Sequence, residues 1–146
     1  MKPILRSCGE VSSELIATGW GSRFTVRGSI AVDQLQPILG GVIADMQSLN
    51  TVAAVCDYRE ADMRIAARSI LVAHQRAWQG AKDWPTALVV SPAHVETWRD
   101  YALLQGQRGN LRRVFTEEEP AQRWAREQAA LREVHIRWLE RAQSRQ

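Results

Sequence analysis

Asp57, Glu60 and Asp62 place three carboxylates within six residues, where the apolar run Thr51-Val-Ala-Ala-Val-Cys56 gives way to the polar Tyr58-Arg-Glu-Ala-Asp-Met-Arg64. Clustered carboxylates can hold a cation or divide general-acid and general-base work between them. Either chemistry calls for a second group of acids or histidines, and none accompanies this one. Carboxylates at a strand end more often pair with arginine or cap a helix, and Asp62 is placed to cap the helix expected after the strand. The expectation is no metal, no cofactor and no catalytic residue, with Asp57, Tyr58, Arg59, Asp62 and Met63 forming a binding surface.

Ser91-Pro-Ala-His94 sets a hydroxyl and an imidazole close together after a second apolar run, which is the material of a nucleophile and its base. The stretch has no Gly-x-Ser-x-Gly elbow and no orienting acid, and Ser91 serves equally well as an N-cap ahead of Pro92. If the two strands are neighbours, Ser91 and His94 share a crevice with Asp57 and Tyr58 beyond the strand ends, and join them as ligand or partner contacts. His74 falls on the apolar stripe of a helix and reads as a packed core residue rather than a ligand.

The elements that position these groups follow from periodicity. Val11 to Ala17 and Arg23 to Arg27 read as two strands around the turn Gly19-Trp-Gly-Ser22, a hairpin. Leu35, Ile38, Leu39, Val42, Ile43, Met46 and Leu49 make one apolar helix face, with Asp33 as its cap and Pro37 near its first turn. Thr51 to Asp57 is a buried strand, and a helical stripe runs from Met63 through Ile70 and His74 to Trp78. Thr86 to Ser91 is another buried strand, followed by a helix from about Ala93 to Gln105 with Val95, Trp98 and Ala102 inward. Leu111 to Phe115 is a strand near an edge because of its paired arginines. Thr116 and Glu119 match a capping box for the last helix. That helix carries Trp124, Leu131, Val134 and Trp138 at three-, four- and seven-residue intervals and is longer than one small sheet needs.

Composition narrows the function classes. The chain has 146 residues, Lys+Arg 19 against Asp+Glu 16, and a net charge of +3 spread along its length. One domain with a real core is expected, and nucleic acid is not the expected partner. Cys8 and Cys56 are far apart with no metal-ligand spacing, so Cys56 reads as a small core residue. With no long apolar stretch, neither a signal peptide nor an integral membrane span is expected, and the default compartment is the cytoplasm. Of the six tryptophans, Trp78, Trp98 and Trp124 fall on apolar faces, whereas Trp20 and Trp138 are harder to bury.

The order and spacing of Phe24-Thr-Val-Arg-Gly-Ser-Ile30 before Asp33-Gln-Leu35, Val55-Cys-Asp57, Ala87-Leu-Val-Val-Ser91, and Arg113-Val-Phe115 before Ala121 and Trp124 resemble the SpoIIAA-like branch of the STAS domains. This bacterial group is often compared with the lipid-binding CRAL-TRIO fold. The resemblance implies a single-domain α/β fold, a mixed and mostly parallel five-stranded sheet with about four helices. The resemblance covers about residues 20–126, and the expected division of the chain is a leader or edge contribution over 1–10, the domain over 11–127, and an extension of the last helix with its tail over 128–146. It also implies a regulatory module in which a phosphorylatable serine opens the helix after the central strand. Met63 stands at that place and has no hydroxyl to accept phosphate.

The combined expectation is a non-enzymatic regulatory or protein-interaction module, homodimeric through Leu131, Val134 and Trp138. The first alternative is a carrier or sensor of a small apolar or lipid-like ligand. An enzyme centred on Asp57, Ser91 and His94 comes last.

Overall fold

A computed structural model describes residues 2–78 and 82–145. The chain runs β1 (Ile4–Cys8), β2 (Val11–Ala17), β3 (Ser22–Ser29), α1 (Val32–Ser48), β4 (Ala54–Asp62) and α2 (Ala67–Trp78). It continues with β5 (Thr86–Val89), a 3-10 turn at Pro92–His94, α3 (Val95–Gln107), β6 (Arg112–Phe115) and α4 (Glu118–Ser144). The six strands lie side by side in chain order, from β1 to β6. The first two pairings are antiparallel and the remaining three are parallel.

That order decides where the helices go. Consecutive parallel strands joined by crossovers of one hand leave every crossover helix on the same face. Helices α1, α2 and α3 accordingly share the main core with Phe24, Val26, Tyr58, Leu88 and Val90. The opposite face receives only α4, whose Ala121, Trp124 and Ala125 pack on Val55, Ala87 and Val89.

The expected sheet is one strand short. The stretch expected to be a leader or edge contribution contains β1, held by a regular antiparallel ladder to β2 and by the Arg6–Asp45 ion pair to α1 at 2.7 Å. Its side chains are mostly exposed, so backbone pairing rather than apolar periodicity makes it a strand.

The central strand is also longer than its apolar run. β4 continues to Asp62, and α2 begins only at Ala67. Its register against β3 slips between Thr25 and Arg27, so that three steps along β4, from Asp57 to Glu60, face two along β3. One extra residue of this kind is a bulge, and it puts Tyr58 and Ala61 on the same face although they are three apart. Three-residue spacing breaks the period of two, which is why the strand reads as ending at Asp57.

Two helix starts differ from the expected caps, and Ser91 is the N-cap of the 3-10 turn as expected. Ala31, not Asp33, is the N-cap of α1, and its amide donates to the Gln34 side-chain oxygen at 2.9 Å. Pro37 sits in the second turn of α1 rather than the first. Glu117 is the N-cap of α4 in place of Thr116, and neither it nor Ser91 caps through its side chain.

The β2–β3 turn depends on a missing side chain. A Cβ at Gly21 would stand 2.1 Å from the Ala53 carbonyl oxygen, whereas one at Gly19 would meet nothing within 4 Å. Gly21→Ala should therefore cost about 2–3 kcal/mol through overpacking, and Gly19→Ala almost nothing. Paired denaturant titrations will show two separated midpoints; coincident midpoints would mean the turn yields freely.

Candidate functional site

The carboxylate cluster does not hold together as a site. Asp57 faces Thr25 across the β3–β4 ladder and shares the α4 side of the sheet with Arg23 and Arg59. Arg59 donates from Nε to Asp57 Oδ1 at 3.0 Å and from Nη2 to Oδ2 at 2.8 Å, and the Arg59 backbone amide adds a third bond at 3.0 Å. Arg23 donates to Asp57 Oδ2 at 3.1 Å and, through Nε, to Glu118 Oε1 at 2.5 Å. Burial opposes ionisation of Asp57 and Glu118, yet the bonds and charges of these arginines hold both carboxyls below their ordinary range. Glu60 turns away to Arg27 at 2.6 Å, and Asp62 lies 3.5 Å from Arg64 instead of capping a helix. Asp57 and Glu118, with Arg23 and Arg59, thus form an ionic junction between the sheet and α4, and Glu60 and Asp62 stand outside it.

Tyr58 and Met63 are core residues, 6% and 4% exposed, so neither belongs to a partner-binding surface. Tyr58 stacks on Trp98 with ring centroids 4.5 Å apart. Met63 precedes α2 by four residues and does not open it. Arg59 and Asp62 are exposed.

Ser91 and His94 flank the 3-10 turn, joined by the His94 amide donating to the Ser91 carbonyl at 3.0 Å. No side-chain bond links them among the described residues. A sheet whose strands never reverse order has no switch-point crevice, and Asp57 is committed to two arginines. Neither the internal cavity nor the hollows along α4 are lined by Ser91, His94 or Asp57.

A buried polar cluster that sequence reasoning did not find lies beneath α2 and α3. Arg112, on the edge strand β6, turns its guanidinium inward to Asp83 at 2.8 and 3.1 Å, to the Trp84 carbonyl at 3.1 Å and to His74 Nε2 at 3.0 Å. Trp78 also donates its indole N–H to His74 Nε2. Both donors have only hydrogens to give, so Nε2 carries the lone pair and Nδ1 the proton. The Gln105 amide, 2.8 Å from Nδ1, then presents its oxygen there, and the Asn110 amide facing it at 2.9 Å turns over with it. His74, expected to be a packed residue, is the hub of this cluster.

Between the cluster and α1 lies a cavity of about 40 Å³, walled by Leu39, Val42, Met46, Tyr58, Trp98 and Arg112 among others. A water needs about 10–15 Å³ on this scale, and a cavity that admits benzene measures about 150 Å³. The space holds a few waters or a very small molecule. Burial pushes the Cys56 thiol beside it up to about 12, which removes it as a nucleophile.

On α4, burial ends at Ala125; Leu131, Val134 and Trp138 are 62, 63 and 61% exposed. Trp20, which looked hard to bury, packs partly against the cluster under α4. No helix among the described residues is long and apolar enough to cross a membrane. No protein-family model matches the chain, and no curated protein is similar to it in sequence.

Two tests follow from these contacts. Burial first, and then the Arg112 cation, press the His74 pKa down to about 2, against about 6.5 in the unfolded chain. The unfolded chain therefore takes up a proton that the folded one refuses, and stability falls as pH falls below 6.5. Between pH 7 and 5 the loss from this residue should be about 2 kcal/mol, and His74→Gln should flatten that slope in urea titrations. Asp57 and Glu118 add little to that slope, because their stabilisation is present throughout this range and is lost only near and below about pH 4. Asp57→Ala should cost about 2 kcal/mol, less than the roughly 3–5 kcal/mol of a fully buried pair, since Arg59 remains 39% exposed. An unchanged denaturation midpoint would mean the junction contributes nothing.

Proposed function

We propose that the chain is a non-enzymatic protein-interaction module that pairs with a second copy of itself through the second half of α4. One observation carries this reading: α4 leaves the sheet after Ala125 and still bears Leu131, Val134 and Trp138 on its exposed surface. Trp124, Leu131 and Trp138 are seven residues apart and Val134 falls between, the spacing of a helix–helix seam. Most helical stability in proteins comes from packing an apolar face, and this face of α4 has no packing partner among the described residues. Glu127 and Arg141 each stand seven residues from Val134. An antiparallel pair centred on Val134 brings Glu127 of one copy against Arg141 of the other, so the seam is complementary to itself in charge as well as in apolar surface.

The regulatory, STAS-like character belongs to the same proposal and rests on the order of the segments quoted above. A phosphoswitch at Met63 is no part of it, because that side chain is buried and lacks a hydroxyl. The cavity beneath Tyr58 favours a second reading, the sensing of a small apolar molecule; its volume is about a quarter of a benzene-sized space. A lipid chain would require α1 and α2 to part from the sheet.

Sedimentation equilibrium should give a dimer for the full chain, and a monomer both for a chain ending at Gln128 and for Val134→Glu. A monomeric full chain at all concentrations, or variants with unchanged mass, would overturn the reading.

A further inference from the structure

Arg132 is a half-buried cation without an anion among the described residues. Its Nε–H is shielded from solvent and has no acceptor among the described residues. A donor left in that state costs about 1–3 kcal/mol and more when charged, and such a group calls for a physical explanation. The carboxylates that line the same hollows are already engaged: Asp83 gives both oxygens to Arg112, and Glu133 pairs with Arg137 at 2.6 Å.

The side chain stands between two hollows that share Arg132 and Val52 as a common wall. One, about 380 Å³, lies between α4 and the β2–β3 turn and is lined by Trp20, Arg126, Ala129 and Ile136. The other, about 300 Å³, lies toward the end of α1 and is lined by Asn50, Thr51, Lys82 and Asp83. Small-molecule clefts run from about 300 to 1,000 Å³. Arg126 is bonded only to the Gln122 amide oxygen at 3.3 Å, and Lys82 is exposed. Three cations therefore border these hollows without an ion pair among the described residues, while Trp20, Val52 and Ile136 supply apolar wall.

We propose that the hollows astride Arg132 form a binding site for a small organic oxyanion, a carboxylate or phosphate monoester attached to a flat apolar body. The guanidinium, which lines both hollows, turns so that its Nε edge meets the anion, where two parallel N–H bonds suit a carboxylate or phosphate. Arg126 and Lys82 add charge, and the body of the ligand lies against Trp20 and Ile136. The site occupies a different side of α4 from Leu131, Val134 and Trp138, so it stands whether or not the chain dimerises.

Titration of the full chain with phenyl phosphate, benzoate and inorganic phosphate, in a buffer otherwise free of oxyanions, tests this by calorimetry and thermal shift. Saturable binding of phenyl phosphate or benzoate at one per chain is expected, the tighter of the two naming the anion class. Arg132→Gln should weaken that binding at least tenfold, and Trp20→Leu should weaken the aromatic anions while sparing inorganic phosphate. Arg132→Met should leave the ligand-free protein as stable as the parent or more so, because it removes an unpaired cation. No binding at millimolar anion, undiminished binding to Arg132→Gln, or a large loss of ligand-free stability in Arg132→Met would each overturn the proposal.

Discussion

The position of α4 rests on a small electrostatic knot. Glu118, in its first turn, is gripped by Arg23 from β3 while Arg23 and Arg59 together grip Asp57 on β4. Partly buried charges of this kind cannot be separated cheaply, because each would keep its desolvation cost and lose its counter-charge. Trp124, two turns further on, seats the helix on Val55, Ala87 and Val89. With those points fixed, a helix of 27 residues must continue in its own direction for about 30 Å beyond Trp124. The exposed seam, the hollows around Arg132 and the half-cover over Trp20 are all consequences of that rigid continuation.

The two faces of the sheet are built on different principles. Beneath α1, α2 and α3 the core is deep enough to bury a polar cluster, and every member of it is bonded: Arg112 to Asp83, His74 to Trp78 and Gln105, and Gln105 to Tyr101. Satisfied in this way, an arginine on an edge strand joins β6 to the segment before β5 and to α2. The α4 face is thin, a small apolar cluster flanked by the salt bridges of Glu118, and it is here that the half-buried Arg132 lies.

Much of the architecture was legible because it is written in apolar period. Val11 to Ala17 corresponds to β2 residue for residue, and the stripe from Leu35 to Met46 is the buried face of α1. The inward side of β4 was misread beyond Asp57 because its bulge replaces a period of two by a step of three. β1 carried no apolar signal because its strand state comes from backbone bonds to β2. The polar cluster was hidden for another reason. Arg112 and Gln105 look like surface residues in isolation, and only the joint arrival of Asp83, His74 and Tyr101 makes their burial tolerable. Asp57 showed the opposite failure, since its three-acid neighbourhood in sequence is dispersed in space to three different arginines.

The unbroken strand order has a consequence for how the molecule is made. Every strand after the first finds its neighbour already present in the chain before it, so a polypeptide leaving the ribosome can lay down the sheet by accretion without waiting for a distant partner. Only the α4 face must wait. Until the last segment emerges, Val55, Ala87 and Val89 form a bare apolar floor, and the newborn domain is a one-sided sheet whose final act of folding is to be covered.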